Sequence, residues 1–238
     1  MAERAIWQEE GTGKRTAVQG MFAEIAPTYD RLNSIMSLRL HHRWRSYAVS
    51  KLNLQPGDSA LDVCCGTGDF MAPLQRTVGS QGKVFGVDFC LPMLEVARSK
   101  LQTPNSKLAL GDACQLPIQA DSVQAVSVGW GIRNVPDIDG AHRELFRVLK
   151  PGGRFVSLDM AVPRNPLIRI PSQFVGKILL PRIGALFGKT KAYTYLPKST
   201  QRFKSREELK SSMEQAGFKD VGYKDLFFGN ICVHWGQK

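Results

Sequence analysis

Between Ser59 and Met160, short apolar runs rich in β-branched residues alternate with amphipathic stretches, and this alternation narrows the fold more than any other feature of the chain. The runs Ser59–Cys65, Lys83–Asp88, Lys107–Gly111, Ser122–Val128 and Gly153–Met160 read as strands. Helices are predicted over Asp69–Val78, Pro92–Leu101 and Asp137–Leu149; a proline suits the first turn of the second, and Lys150-Pro-Gly-Gly153 makes a turn after the third. Strands that alternate with helices pair in parallel and are covered on both faces, so the expected class is α/β. With 238 residues, 43% of them hydrophobic, the chain has apolar material enough for such a core, and disorder is excluded.

The flanks divide the chain further, within one expected domain spanning 1–238. Residues 19–54 read as a helical lid, 55–162 as a ligand-binding core, 163–204 as a proline-punctuated apolar and basic cap, and 205–238 as a closing helix and strand pair. Ser205-Arg-Glu-Glu208 has the form of a capping box for a helix ending near Gly217. Lys219–Phe227 and Ile231–Trp235, joined through Gly229-Asn230, bring the expected sheet to seven strands, mostly parallel with an antiparallel edge strand. No apolar run reaches the roughly 18 residues that a membrane-crossing helix needs. Met1 to Arg15, with Glu3, Glu9 and Glu10, fits neither a secretory signal nor a transit peptide, and five cysteines without C-x-x-C spacing suggest neither zinc nor a disulfide framework. A reducing, cytoplasmic setting is expected, with the cysteines as buried small hydrophobes.

Lysine and arginine exceed aspartate and glutamate by 32 to 21, but not evenly: residues 61–162 carry ten of each sign, whereas 163–238 carry 14 basic and 5 acidic. Between Asp159 and Glu207 there is no acidic residue and there are ten basic ones.

The chemistry gathers at strand ends, where an open α/β sheet places its ligand crevice. Leu61-Asp-Val-Cys-Cys-Gly-Thr-Gly-Asp69 closes the first strand, and Gly66 and Gly68 let backbone approach a ligand closely. Asp88 ends the second strand and suits both hydroxyls of a ribose. Gly111-Asp112-Ala113 ends the third, where the Asp112 carboxylate and the Ala113 amide suit an adenine edge. A pyrophosphate fingerprint would need glycine where Met71 stands, so NAD fits poorly. S-adenosylmethionine has no phosphate and carries cationic groups that tolerate or favour a carboxylate such as Asp62.

These motifs resemble the class I S-adenosylmethionine-dependent methyltransferases, and among them the UbiE/MenG C-methyltransferases of ubiquinone and menaquinone or phylloquinone biosynthesis. Tyr29-Asp-Arg-Leu-Asn33 with Ser37, His41 and Trp44 is similar to one family signature, Arg147-Val-Leu-Lys-Pro-Gly-Gly153 with Phe155 to a second, and Gly129-Trp-Gly-Ile-Arg-Asn-Val135 to a third stretch, from about Met21 to Gly236 in all. The resemblance implies a Rossmann-like fold, S-adenosylmethionine as cofactor, and binding positions at Thr67, Asp88, Asp112 and Ala113. Three departures stand out: Cys64-Cys65 replaces a usual Ala-Gly pair, as in a cyanobacterial and plant branch that makes phylloquinone; Asp159 stands for a usual glutamate; and Gly129 stands where a cofactor-binding serine often does.

The implied acceptor is a lipid-tailed naphthoquinol, with a benzoquinol as the alternative. A ring carbon must be nucleophilic to take a methyl group, which selects the reduced quinol. With a phenol-like pKa near 10, only ~0.1% is anionic at pH 7, a deficit of roughly 4 kcal/mol. Arg133 is placed to lower that pKa by charge and Asn134 to hydrogen-bond the quinol oxygen; alternatively Arg133 forms an ion pair with Asp137 or Asp139. Tyr29, Asp30 and Asn33 either close a lid or only cap and pack helices. His41 and His42 read as packing groups; His142 falls in an expected surface helix and His234 in the last strand, neither with a role. No metal is called for. The segment Leu167–Leu180 mixes apolar and cationic residues as an interfacial stretch does, so reversible contact with a membrane surface is expected; the alternative is a solvated basic cover over a greasy pocket. Nucleic acid is the rival target for the basic tract, weakened because Gly131-Ile-Arg-Asn134 replaces an N-P-P-[YF] sequence.

Overall fold

A computed structural model describes Ile6, residues 11–101 and 103–238. Most of Met1–Arg15, read above as lacking a leader, lies outside them. In chain order the elements are α1 (Gly11–Ile25), α2 (Tyr29–Met36), α3 (Leu40–Ser50), β1 (Ser59–Val63), α4 (Met71–Val78), β2 (Lys83–Asp88), α5 (Leu91–Lys100), β3 (Ser106–Leu110), β4 (Val123–Gly129), α6 (Ile138–Val148), β5 (Leu149–Met160), α7 (Pro166–Phe174), α8 (Leu180–Leu186), α9 (Thr190–Arg202), α10 (Arg206–Gln215), β6 (Lys219–Leu226) and β7 (Ile231–Gln237). A π-helical turn, Val175–Leu179, joins α7 to α8.

One seven-stranded sheet runs in the order β3-β2-β1-β4-β5-β7-β6. The first five strands pair in parallel, and β7 runs antiparallel to both β5 and β6, so the reversed strand lies one place in from the edge. The pleat distributes side chains to two cores: Leu61, Val63, Val126, Leu145 and Phe155 pack on one face, and Ala60, Leu74, Val84, Val156 and Val233 on the other. The predicted Lys150–Gly153 turn is absorbed into β5 as an irregularity, since Val123 pairs with Leu149 but Ala125 with Arg154.

Helix ends follow local chemistry. Asp137 caps α6 by accepting from the Gly140 amide at 2.8 Å. The Ser205–Glu208 capping box forms in both directions at α10. His142 is fully buried rather than on a surface, because α6 turns it toward α10, where its Nδ1 lies 2.7 Å from Ser212 Oγ. Helix α1 begins at Gly11, well before the expected lid boundary at residue 19, and packs against α5 and α9.

Candidate active site

Two hollows open where the parallel strands end. The smaller is a narrow crevice with about 70 Å³ of free space, open to solvent along its mouth. Its wall includes Gly66, Asp88, Phe89, Asp112, Ala113, Gly129 and Asn134. The larger is a cavity of about 500 Å³ under α7 and α9, walled by Asn33, His41, Trp44, Arg133, Tyr193 and Tyr195 among others. Phe22, Tyr29 and Trp130 belong to both walls, so the hollows meet there.

In the crevice the polar groups are held by the backbone. Asp88 accepts from the Gly66 amide at 2.8 Å and the Cys90 amide at 2.9 Å, one on each oxygen, and each oxygen retains a further lone-pair site. Burial pushes its carboxyl up to about 6, against the pull of those amides. Gly66 sits at φ 53°, a left-handed conformation that glycine adopts freely. Gly129 has a second reason to lack a side chain: a Cβ there would lie 2.6 Å from the Phe70 ring, which explains why serine is absent. Cys64 also lines the crevice, and burial with neighbouring carboxylates raises its thiol well above the usual range, so it stays protonated.

Four of the seven expected cofactor residues, Gly66, Asp88, Asp112 and Ala113, line the crevice, and three do not. Asp62 is buried inside β1, where it accepts from Ser127 Oγ at 2.6 Å. Thr67 turns away and donates to Asp30 at 2.5 Å. Gly68 packs so tightly on α5 that a Cβ would come within 2.7 Å of Leu101. Asp112 is not a free acceptor either: one oxygen takes the Cys114 amide at 2.9 Å, and the other pairs with Arg15 of α1 at 2.7 Å. α1 therefore reaches over the crevice, which the sequence reading, with its lid starting at residue 19, did not foresee.

The lid residues separate by role. Tyr29 and Asn33 line the larger cavity, whereas Asp30 joins a ladder below it. Lys100 donates to Asp30 at 2.6 Å and to Asp69 at 2.7 Å, and Asp69 also pairs with Arg45 at 3.2 Å. This ties α2 and α3 to the Thr67 loop.

Arg133 pairs with neither Asp137 nor Asp139. Its guanidinium forms a buried ion pair with Asp159, brought alongside because β5 neighbours β4. Burial holds Asp159 above the ordinary carboxylate range, with Arg133 opposing. The pairing neutralises much of the field expected to act on a quinol, but Arg133 Nε is buried without a partner. Asn134 lines the crevice and not the larger cavity, and both ends of its amide are engaged: it accepts from Tyr195 OH at 2.8 Å and donates to the Trp130 carbonyl at 3.1 Å. Asn134, expected to bond the quinol oxygen, is thus already bonded to Tyr195, a residue that sequence reasoning missed. His41 contacts Arg45 and Ser34, and burial lowers its imidazole to about 4, consistent with a packing group.

The sheet order with a reversed β7 and a crevice at the parallel strand ends defines the class I methyltransferase architecture. A Thermotoga maritima structure described as a SAM-dependent methyltransferase, possibly a histamine N-methyltransferase, shares that fold with a TM-score of 0.66 at 23% identity, over 92% of this chain and 99% of that one. A Haemonchus contortus phosphoethanolamine N-methyltransferase solved with S-adenosyl-L-methionine gives 0.62 at 15% identity, over 82% of this chain and 52% of that one. Residues 10–238 match the ubiE/COQ5 methyltransferase family, and the chain belongs to it. A relative from Staphylococcus epidermidis named demethylmenaquinone methyltransferase is 40% identical over 231 residues, 96% of each chain.

Proposed function

We propose that this chain moves a methyl group from S-adenosylmethionine to a ring carbon of a lipid-tailed naphthoquinol, of the demethylmenaquinol or demethylphylloquinol kind, in contact with a membrane surface. The observation that carries the reading is the junction of a narrow strand-end crevice holding Asp88 and Asp112 with a much larger, mostly aromatic and aliphatic cavity across Phe22, Tyr29 and Trp130. When bound, the cofactor supplies an electrophilic methyl on a sulfonium. The crevice suits it: buried carboxylates and glycine-thinned walls favour a cationic nucleoside, and the buried Met71 occupies the place where a phosphate site would need glycine.

In this reading Asp88 takes the ribose hydroxyls on its free lone pairs, and Asp112 shares its carboxylate between Arg15 and the adenine edge. Asp62, Gly66, Thr67, Gly68 and Ala113 shape that wall, with Asp62, Thr67 and Gly68 acting from behind it. Tyr29 and Trp130 hold the acceptor ring at the junction, which orients it and keeps water out. Arg133, in the cavity wall, stabilises charge building on the quinol oxygen as the ring carbon reacts. Asn134 acts as a positioning group by fixing Tyr195 and Trp130. The relative's name supports a menaquinone-type ring, and the phytyl tail rests on the Cys64-Cys65 resemblance alone.

The test is incubation of the protein with radiolabelled S-adenosylmethionine and a short-tailed demethylnaphthoquinone, reduced or oxidised, beside a benzoquinol and RNA. Label is expected in the reduced naphthoquinol at a rate well above the benzoquinol and not in the oxidised form. Label in RNA with none in any quinol would discard the reading.

A further inference from the structure

We propose that the rim of the larger cavity is a docking collar for an anionic lipid surface, built from three segments far apart in sequence. It rests on the quinol reading only for its purpose, which is to bring a tailed acceptor to the mouth; the surface itself stands on separate observations.

Each segment puts one residue into the cavity wall and its neighbour into solvent. Met36 and Ser37 line the cavity, and Leu38 beside them is 79% exposed. Pro171 and Val175 line it, while Leu167, Ile170 and Phe174 stand outside on one helical stripe at spacings of three and four, with Leu167 82% exposed. Helix α7 has no buried residue, so this stripe is not held by the protein's own core. Phe227 lines the cavity, and Phe228 beside it is 74% exposed. Large apolar side chains left in solvent by three segments that line one cavity mark an interaction face.

The backbone points the same way. Leu38 and Phe228 occupy left-handed conformations, φ 48° and 57°, where large apolar L-residues are rarely found and glycine is free. Both tips carry a bulky side chain where it is conformationally unfavourable and makes little contact with the fold, which assigns its use to something outside.

Charge selects the occupant. Arg39, Arg169, Lys177 and Arg182 are exposed and make no ion pair among the described residues, and residues 160–206 carry no acid. A second copy of the chain would set these cations against one another, whereas an anionic bilayer complements them, each contributing about fivefold in partitioning. No helix among the described residues is long and apolar enough to cross a membrane, so the collar would rest on the surface.

The experiment uses the full chain, without quinol or cofactor, sedimented with vesicles of phosphatidylcholine alone or mixed with phosphatidylglycerol. Binding is expected to the mixed vesicles and to weaken with salt. Leu167→Glu with Phe174→Glu should lower partitioning at least roughly a hundredfold, and Phe228→Gly about tenfold. Phe228→Gly should leave the melting temperature unchanged or raised, which a packing role would not allow. The collar is overturned if the wild type stays in the supernatant, if the variants partition as it does, or if the same substitutions dissociate a homodimer in place of changing vesicle binding. None of the three substituted residues lines the cavity, so turnover of a water-soluble short-tailed quinol should survive in every variant. Vesicle binding without any quinol turnover would remove the quinol reading and keep the collar; turnover without vesicle binding would do the reverse.

Discussion

The strand-end crevice and the cavity beneath the cap share three aromatic residues, yet the chain builds them by opposite means. Around the crevice the polar groups are bonded within the protein before any ligand arrives: Asp88 to two amides, Asp112 to an amide and Arg15, Asn134 to Tyr195 and Trp130. The charges of 61–162 balance at ten of each sign. Around the cavity, the cap leaves apolar side chains and cations in solvent, and α7 buries nothing. A wall whose groups are already paired is preorganised and contributes to stability. A wall whose groups face outward contributes little to the fold, and its sequence answers to what it meets. Substitutions at the crevice and its floor should therefore cost stability and binding together, while cap substitutions should spare stability.

The largest effect is expected at the floor between the hollows. Arg133→Met leaves Asp159 buried without a counter-charge, which costs about 3–5 kcal/mol when one partner of such a pair is removed. Arg133→Met combined with Asp159→Asn should recover most of that stability in thermal denaturation while methyl transfer stays lost. If the double variant turns over like the wild type, Arg133 serves the fold and not the acceptor.

Next comes Asp88→Asn. It keeps an acceptor for one of the two amides and loses the charge-assisted bonds to the ribose, so affinity for the cofactor should fall about a hundredfold by calorimetry. In the wild type, affinity should weaken as pH drops below about 6, where Asp88 takes up a proton, by up to tenfold per pH unit. The asparagine variant should show no such slope. A slope that persists would place the titrating group elsewhere.

What could be read from sequence follows the same division. Gly66, Asp88 and Asp112 were legible because a crossover pattern fixes where strands end, and residues at those ends share one crevice whatever the rest of the chain does. Ser205–Glu208 was legible because a capping box is local. The partners Asp159 and Tyr195 were not, since they lie 26 and 61 residues from Arg133 and Asn134 and depend on strand order and on the path of α9 over the sheet. Nor was the cover made by Lys14 and Arg15: Lys14 Nζ reaches the carbonyls of Arg133 and Val135, and no periodicity in α1 signals which loop it will cross. Asp62 and Thr67 show a subtler limit, because spacing places a residue near a turn without saying which side of the sheet its side chain takes.

The smallest effect on binding sharpens that last point. Burial pushes the Asp62 carboxyl up to about 7, with the Ser127 hydroxyl and the Arg45 charge opposing and Oδ2 unpartnered. In the unfolded chain the same group ionises near 4. Between pH 4 and 7 the folded protein therefore holds a proton that the unfolded chain has lost, and its stability falls as pH rises through this window, levelling off above 7. Asp62→Asn removes the ionisation, so its advantage over the wild type in urea unfolding should be near zero at pH 4 and grow to about 4 kcal/mol at pH 8. Because Asp62 does not line the crevice, the variant should change cofactor affinity by less than about threefold. A collapse of binding comparable to that of Asp88→Asn, with no gain at pH 8, would mean that β1 delivers a carboxylate to the ligand after all.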